Sequence, residues 1–142
     1  MRMLFSLSLA LLLAACARTP DGDAIRANVR AMAAAAESQS KAGVLEHVAD
    51  DFIGNDGELD RAGLEQLLRA RLLAGHSIGV SIGSVAIEVD GDRATARFEA
   101  TVTDGSGRWL PEHRAVLQII TSWRREQREW RCYNAQWSGG DR

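Results

Sequence analysis

The 142 residues predict an α+β fold in which three N-terminal helices cover one face of an antiparallel sheet. Three observations carry this. Apolar residues recur at helical spacing in the first half of the chain, they switch to a period of two from Val80 onward, and the length leaves room for one domain and not two. Lys+Arg total 17 against 19 Asp+Glu, a formal charge of −2, so no broad cationic surface exists to neutralise a phosphate backbone and nucleic acid is excluded as a partner. Only Lys41 is a lysine; together with the many Ala, the Arg-rich basic set reads as genomic base composition, not Arg-based recognition. Two cysteines cannot make a disulfide-rich scaffold, and no C-x-x-C occurs to bind zinc.

Before the helices, twelve of the first fifteen residues are apolar, and residues 4–15 carry no charge. The run is too short to span a bilayer, which takes about 20 residues. Arg2 precedes it and Ala14 and Ala15 end it, the layout of a signal peptide over residues 1–15. Leu13-Ala14-Ala15-Cys16 resembles the lipobox of bacterial lipoproteins. The resemblance implies acylation of Cys16, cleavage before it, and a membrane partner reached through the lipid anchor. Ala17 stands where an Asp usually marks inner-membrane retention, which implies the periplasmic face of the outer membrane. An ordinary secretory cleavage near Ala15 or Ala17, with Cys16 incidental, is the alternative. With Cys16 acylated, Cys132 has no intrachain disulfide partner and reads as a small buried hydrophobe.

Residues 16–22 are polar and read as a lipidated tether, with the domain proper over residues 23–139. Ile25, Val29, Met32 and Ala36 form one stripe of a first helix, which Asp21 or Asp23 could cap. Ser40 caps a short second helix with Val44, Leu45 and Val48 on one face, ending at Asp50-Asp51-Phe52, followed by a loop through Asn55-Asp56-Gly57. Asp60 caps a third helix, with Leu59 and Leu64 at staple spacing, Leu64, Leu67, Leu68 and Leu72 as its buried stripe, and Gly75 as its stop. Val85, Ile87 and Val89 then alternate up to the Asp90-Gly91-Asp92 turn, and Ala94, Ala96, Phe98, Ala100 and Val102 line one face of the return strand. A further strand carries Leu117, Ile119, Thr121 and Trp123 on one face. A turn over residues 125–128 leads to a last strand, 129–137, with Arg124 opposite Glu129 and Trp123 opposite Trp130.

The order helix, short helix, Asp-Asp-Phe, loop, Leu-Asp-Arg-x-Gly-Leu helix, then strands ending in Trp-x-x-x-Asn-x-Gln-Trp, resembles the nuclear transport factor 2-like superfamily over about residues 23–138, and within it the SnoaL-like and ketosteroid-isomerase-like small proteins. The resemblance implies a cone: a strongly curved antiparallel sheet wrapped around the helices, with a pocket opening at one end. It implies no cofactor. Ketosteroid isomerases combine a carboxylate base with a Tyr and a protonated acid. The helix that carries the donor Tyr in that family has Ala, Met, Val and Ile inward here, and the sole tyrosine is Tyr133, so isomerase activity is not carried over.

Alternation in the last strand puts Trp130, Cys132, Asn134 and Gln136 on one face beside Trp123, which makes Asn134 and Gln136 candidate ligand-orienting amides in an apolar pocket that Asn55 also borders. The alternatives are that these amides serve loop backbone or water, or that Arg131, Tyr133 and Trp137 face inward instead. Asp51 is the candidate general base and Tyr133 a candidate donor; helix-end and turn chemistry is the competing account of Asp50, Asp51, Asn55 and Asp56. His47 and Asp51, four apart, do not make a metal site by themselves, and no metal is expected. The leading expectation is a non-catalytic envelope lipoprotein that binds a small apolar ligand or a protein; the alternative is a SnoaL-type lyase or isomerase. A third role is homodimerisation through the convex sheet face, for which exposed Trp109, Val116, Ile120 and Trp137 would suit.

Overall fold

The computed structural model describes residues 20–75, 77–105 and 113–141. Cys16, the start of the tether, His76 and Trp109 lie outside the described residues. Helix α1 spans Asp21–Glu37, with Ile25 and Val29 buried and Met32 packed against the same core. It starts two residues before the expected domain boundary. Pro20 occupies the N-cap at φ −52° and no side chain caps the helix, so Asp21 and Asp23 sit in its first turn, where a carboxylate opposes the positive end of the helix dipole. In α2, Lys41–Leu45, Ser40 Oγ accepts from the Gly43 N–H at 3.1 Å as its position predicts. Helix α3, Arg61–Ala74, is capped by Asp60, whose Oδ1 accepts from the Gly63 N–H at 2.7 Å.

The leucine stripe of α3 is less buried than its spacing suggests. Leu64 reaches the core and Leu68 is half-buried, but Leu67 is 48% exposed. The reason is position: α1 packs on β3 and β4, while α3 is left against β1, β2 and α2 at one side of the sheet.

Seven strands follow: β1 (Val48–Gly54), β2 (Leu59–Asp60), β3 (Ser77–Ile82), β4 (Ala86–Asp90), β5 (Arg93–Gly105), β6 (His113–Glu126) and β7 (Glu129–Asp141). They form one open sheet in the order β2-β1-β7-β6-β5-β3, with β4 also pairing with β5. The sheet is mixed. Residues around Asp50-Asp51-Phe52, expected to close the second helix and enter a loop, form β1, which runs parallel to β7. Nothing local in the sequence announces this strand. Its pattern of buried Val48, Ala49 and Phe52 fits neither strict alternation nor a helix, because the pairing with β7 breaks between Val48 and Ile53.

Two features of the β6–β7 hairpin reset the register. The turn is Gln127-Arg128, both at positive φ (48° and 74°), the geometry of a type I′ turn. Strand β6 therefore runs on to Glu126. Arg125 pairs with Trp130 and Arg124 with Arg131, where the sequence reading had Trp123 opposite Trp130 and Arg124 opposite Glu129. A bulge then inserts Tyr133: Trp123 pairs with Cys132, but Ser122 pairs with Asn134. One extra residue inverts every side chain beyond it. Trp130 and Cys132 face the helices before the bulge, and Ala135 and Trp137 do so after it.

The core lies between α1 and this sheet face. It contains Ile25, Val29, Val48, Phe52, Ala94, Ala96, Trp123, Trp130 and Cys132, with Met32, Phe98 and Trp137 packed against it.

Candidate functional site

The covered side of the sheet is occupied by protein. Trp123, at 0% exposure, stands at its centre. Alternation on β6 aims it inward, and the small Ala94 and Ala96 of β5 make room for the indole. Its one polar group is satisfied internally: Nε1–H donates to Thr121 Oγ at 2.8 Å, and the Thr121 hydroxyl donates to the Ala96 carbonyl at 3.3 Å. Trp130 is anchored at the rim, its Nε1–H donating to Asp21 Oδ1 at 3.3 Å, the Arg125 guanidinium lying 4.9 Å from its ring centre, and Asn28 donating to its carbonyl at 3.4 Å. At the far end of α1, an apolar recess between Ala35, Ala36, Leu68 and Ile78 has a volume of about 30 Å³, room for a water or two and not for a substrate.

The bulge sends both candidate amides to the other, open face of the sheet. Asn134 and Gln136 are neighbours there, and Gln136 Nε2 donates to Asp56 Oδ1 at 3.2 Å and to Asn134 Oδ1 at 3.5 Å. Asn55 is also engaged, its Oδ1 accepting from the Trp137 backbone N–H at 2.9 Å. That contact ties the 3₁₀ turn Asn55–Gly57 to β7 just where its pairing with β1 ends. Trp137, proposed as an exposed interface residue, instead lies on the covered side against Gly54, where an added Cβ would sit 2.7 Å from the ring.

Asp51 and Tyr133, far apart in the sequence, both meet Arg124, where β1 lies beside β7 and β7 carries the bulge against β6. Arg124 donates to both Asp51 oxygens, at 2.9 and 2.5 Å, and to Glu126 Oε1 at 2.8 Å. The Tyr133 ring has two guanidinium groups over it, Arg93 at 5.1 Å and Arg124 at 5.4 Å from its centre. The hydrogen bonds from Arg124 hold the Asp51 carboxyl below the usual carboxylate range, and the two acids raise the Arg124 pKa in turn. Asp51 is thus an exposed, ion-paired carboxylate, the opposite of a buried base with a raised pKa. The sequence reading missed Arg124 as the organiser because it placed the residue beside a turn; the cross-strand row Arg93, Arg124, Arg131 exists only in the observed register.

Two open clefts flank the β6–β7 hairpin. One, of about 740 Å³, is polar and runs past Ala49, Asp50, Arg61, Glu126 and Arg131. The other, about 420 Å³, lies between Asn28, His47, Arg128 and Trp130. In the first, Arg61 is committed to backbone, donating to the Leu45 and Val48 carbonyls at 3.0 and 2.6 Å. In the second, burial lowers the His47 pKa, with Glu46 opposing and Arg131 assisting. Burial pushes the Cys132 thiol up to about 12, so it is no nucleophile in this state. Among the described residues, no three His, Cys, Asp or Glu side chains converge where a metal could be held.

An α+β domain with helices on one face of an open mixed sheet is also what comparison finds. No protein-family model matches the chain, and no curated protein matches it. Solved structures do. A protein of unknown function with a cystatin-like fold from Nostoc punctiforme superposes with a TM-score of 0.66 at 18% identity, over 84% of this chain and 90% of that one. A nuclear transport factor 2-like protein from Pseudomonas putida gives 0.67 at 15% identity, over 80% and 82% of the two chains. Another, from Novosphingobium aromaticivorans, gives 0.63 at 23% identity, over 82% and 80%. The chain therefore has the nuclear transport factor 2-like fold, also described as cystatin-like. At these identities the likeness concerns the fold, and function is argued from the residues.

Proposed function

We propose that the protein is a cell-envelope lipoprotein, held through Cys16 at the periplasmic face of the outer membrane, whose nuclear transport factor 2-like cone works by binding and not by turnover. The observation that carries the second half is the fully buried Trp123 in the middle of the covered sheet face, its indole N–H satisfied by Thr121, whose hydroxyl is in turn bound to the Ala96 carbonyl. The candidate general base, Asp51, is tied to Arg124 on the open face, away from that interior. A filled interior moves binding to the surface and favours a protein partner over a small apolar ligand. A second copy is one such partner, because Ile120 and Ile53 are 41% and 39% exposed and half-buried Val116 lies on the same strand and face as Ile120.

Membrane fractionation of the wild type and of Cys16→Ser, with mass spectrometry of the N-terminus, tests the anchor: a diacylglyceryl-modified Cys16 is expected, and an unmodified amine at or beyond residue 16 refutes it. Titration with an apolar fluorophore, read for saturable one-to-one uptake, tests the filled interior. Saturable one-to-one uptake would overturn the filled interior and restore the pocket reading. Sedimentation of wild type and Ile120→Asp tests the second copy, with a dimer lost in the variant as the supporting result.

A further inference from the structure

On the strength of the lipid anchor, we propose that one pole of the domain, formed by the start of α1 and the turns Gly91-Asp92 and Gln127-Arg128, is a membrane-contact surface on which Arg93 and Arg128 bind phospholipid phosphates.

These elements are bound into one pole. Asp21, the first residue of α1, lies 2.6 Å from Arg125 Nη2 and accepts from Trp130 Nε1 at 3.3 Å, which fixes the helix start to both strands of the β6–β7 hairpin. The Arg125 backbone N–H donates to the Asp92 carbonyl at 2.9 Å, which brings in the β4–β5 turn. The chain between the anchor and this pole is short. From Cys16 to Asp21 it can extend at most about 17 Å, at about 3.5 Å per residue. Helix α1, with 17 residues, is about 25 Å long at 1.5 Å per residue, so the opposite pole, where it ends beside Lys41 and Arg71, lies beyond the tether's reach when the domain stands on its anchor.

Charge separates the two poles as well. At the recess beyond α1 both cations are neutralised, Lys41 by Glu65 at 2.9 Å and Arg71 by Asp104 at 3.0 Å. At the tether pole Arg93 and Arg128 are exposed and, among the described residues, make no ion pair within 4.0 Å; Arg93 stacks on the Tyr133 ring, opposite Asp90 on β4 and within the field of Asp51. A guanidinium fork matches two phosphate oxygens at once, and a bilayer surface presents phosphates to any basic group the anchor holds near it. The outer rim of this pole also exposes Asp23, Asp92 and Glu129, each beside another arginine, which leaves Arg93 and Arg128 as the cations open to a headgroup phosphate.

The test uses the acylated protein purified from membranes and reconstituted in phosphatidylethanolamine and phosphatidylglycerol vesicles. A fluorophore is attached at Gln127→Cys in one preparation and at Ala42→Cys, on the opposite pole, in the other; acylated Cys16 and buried Cys132 leave the introduced thiol as the reactive one. Quenching by a phospholipid spin-labelled at its headgroup is expected to be at least threefold stronger at position 127, and to fall toward the position-42 value when Arg93→Glu and Arg128→Glu are combined, with circular dichroism confirming the fold. Equal quenching at the two positions, stronger quenching at 42, or no change in the double charge reversal overturns the inference while leaving the anchor standing. Mass spectrometry of the same preparation separates the two: an unacylated Cys16 overturns the anchor and this surface together.

Discussion

Replacing Trp123 tests whether the interior is a packed core or a disguised pocket. The side chain is fully buried, and its N–H is satisfied only by Thr121. Trp123→Ala removes the largest fully buried side chain and leaves a hole bounded by β-strand backbone that cannot collapse far, so the loss belongs in the range for large aromatic truncations, about 3–5 kcal/mol. Set against a domain stability of about 5–15 kcal/mol, that brings the variant near its unfolding threshold. Thr121→Val is a finer probe: it keeps the volume but strands the indole N–H without an acceptor, at about 1–3 kcal/mol. Trp123→Phe should cost about 2 kcal/mol, and the double variant Thr121→Val, Trp123→Phe about 1 kcal/mol less than the sum, because with both polar partners gone nothing buried is left unpaired. Urea unfolding followed by far-ultraviolet circular dichroism, at constant slope, measures all four. A cost under about 1 kcal/mol for Trp123→Ala would mean that the ring borders open space and that the interior is a pocket.

Replacing Gln127-Arg128, both at positive φ, by Asn-Gly, the pair that best tolerates that conformation, should stabilise the hairpin by about 1 kcal/mol, seen as a higher urea midpoint; a loss would mean the type I′ geometry is wrong. His47 titrates below its ordinary value because folding buries it, so between its folded pKa and about 6.5 the unfolded chain binds more protons and stability rises with pH through that window. His47→Gln should flatten that slope in urea midpoints measured from about pH 5 to about pH 7.5. Cys132 should resist thiol reagents at pH 8 until the protein unfolds, since its thiol is buried and its Sγ–H donates to the Asn134 carbonyl at 3.4 Å; rapid labelling in the native state would contradict its placement. Asp51→Asn should cost only about 0.2–1 kcal/mol, the worth of a solvent-exposed ion pair, and a larger loss would show Asp51 to be structurally central.

Much of the fold was legible because its signals are local. Ser40 and Asp60 cap helices through bonds to residues three ahead, and β5 buries Ala94, Ala96 and Ala100 through simple alternation. The candidate site was less legible. Asn134 and Gln136 were assigned to the interior by continuing a period of two through Tyr133, and the bulge there breaks the count. Arg124 and Asp51 carry no motif between them, being joined only when β1 lies beside β7.

By itself, then, the sequence determined that three segments of the first half are helical, without the end of the second, and that the β4–β5 hairpin and the strands after it alternate with a period of two. Those properties depend on residues a few positions apart. The tertiary structure decided which face Asn134 and Gln136 occupy, that β1 is a strand, and that Trp123 fills the interior. A bulge, a parallel pairing and a filled space are properties of two segments in contact, and their free energy arises only when distant parts of the chain meet.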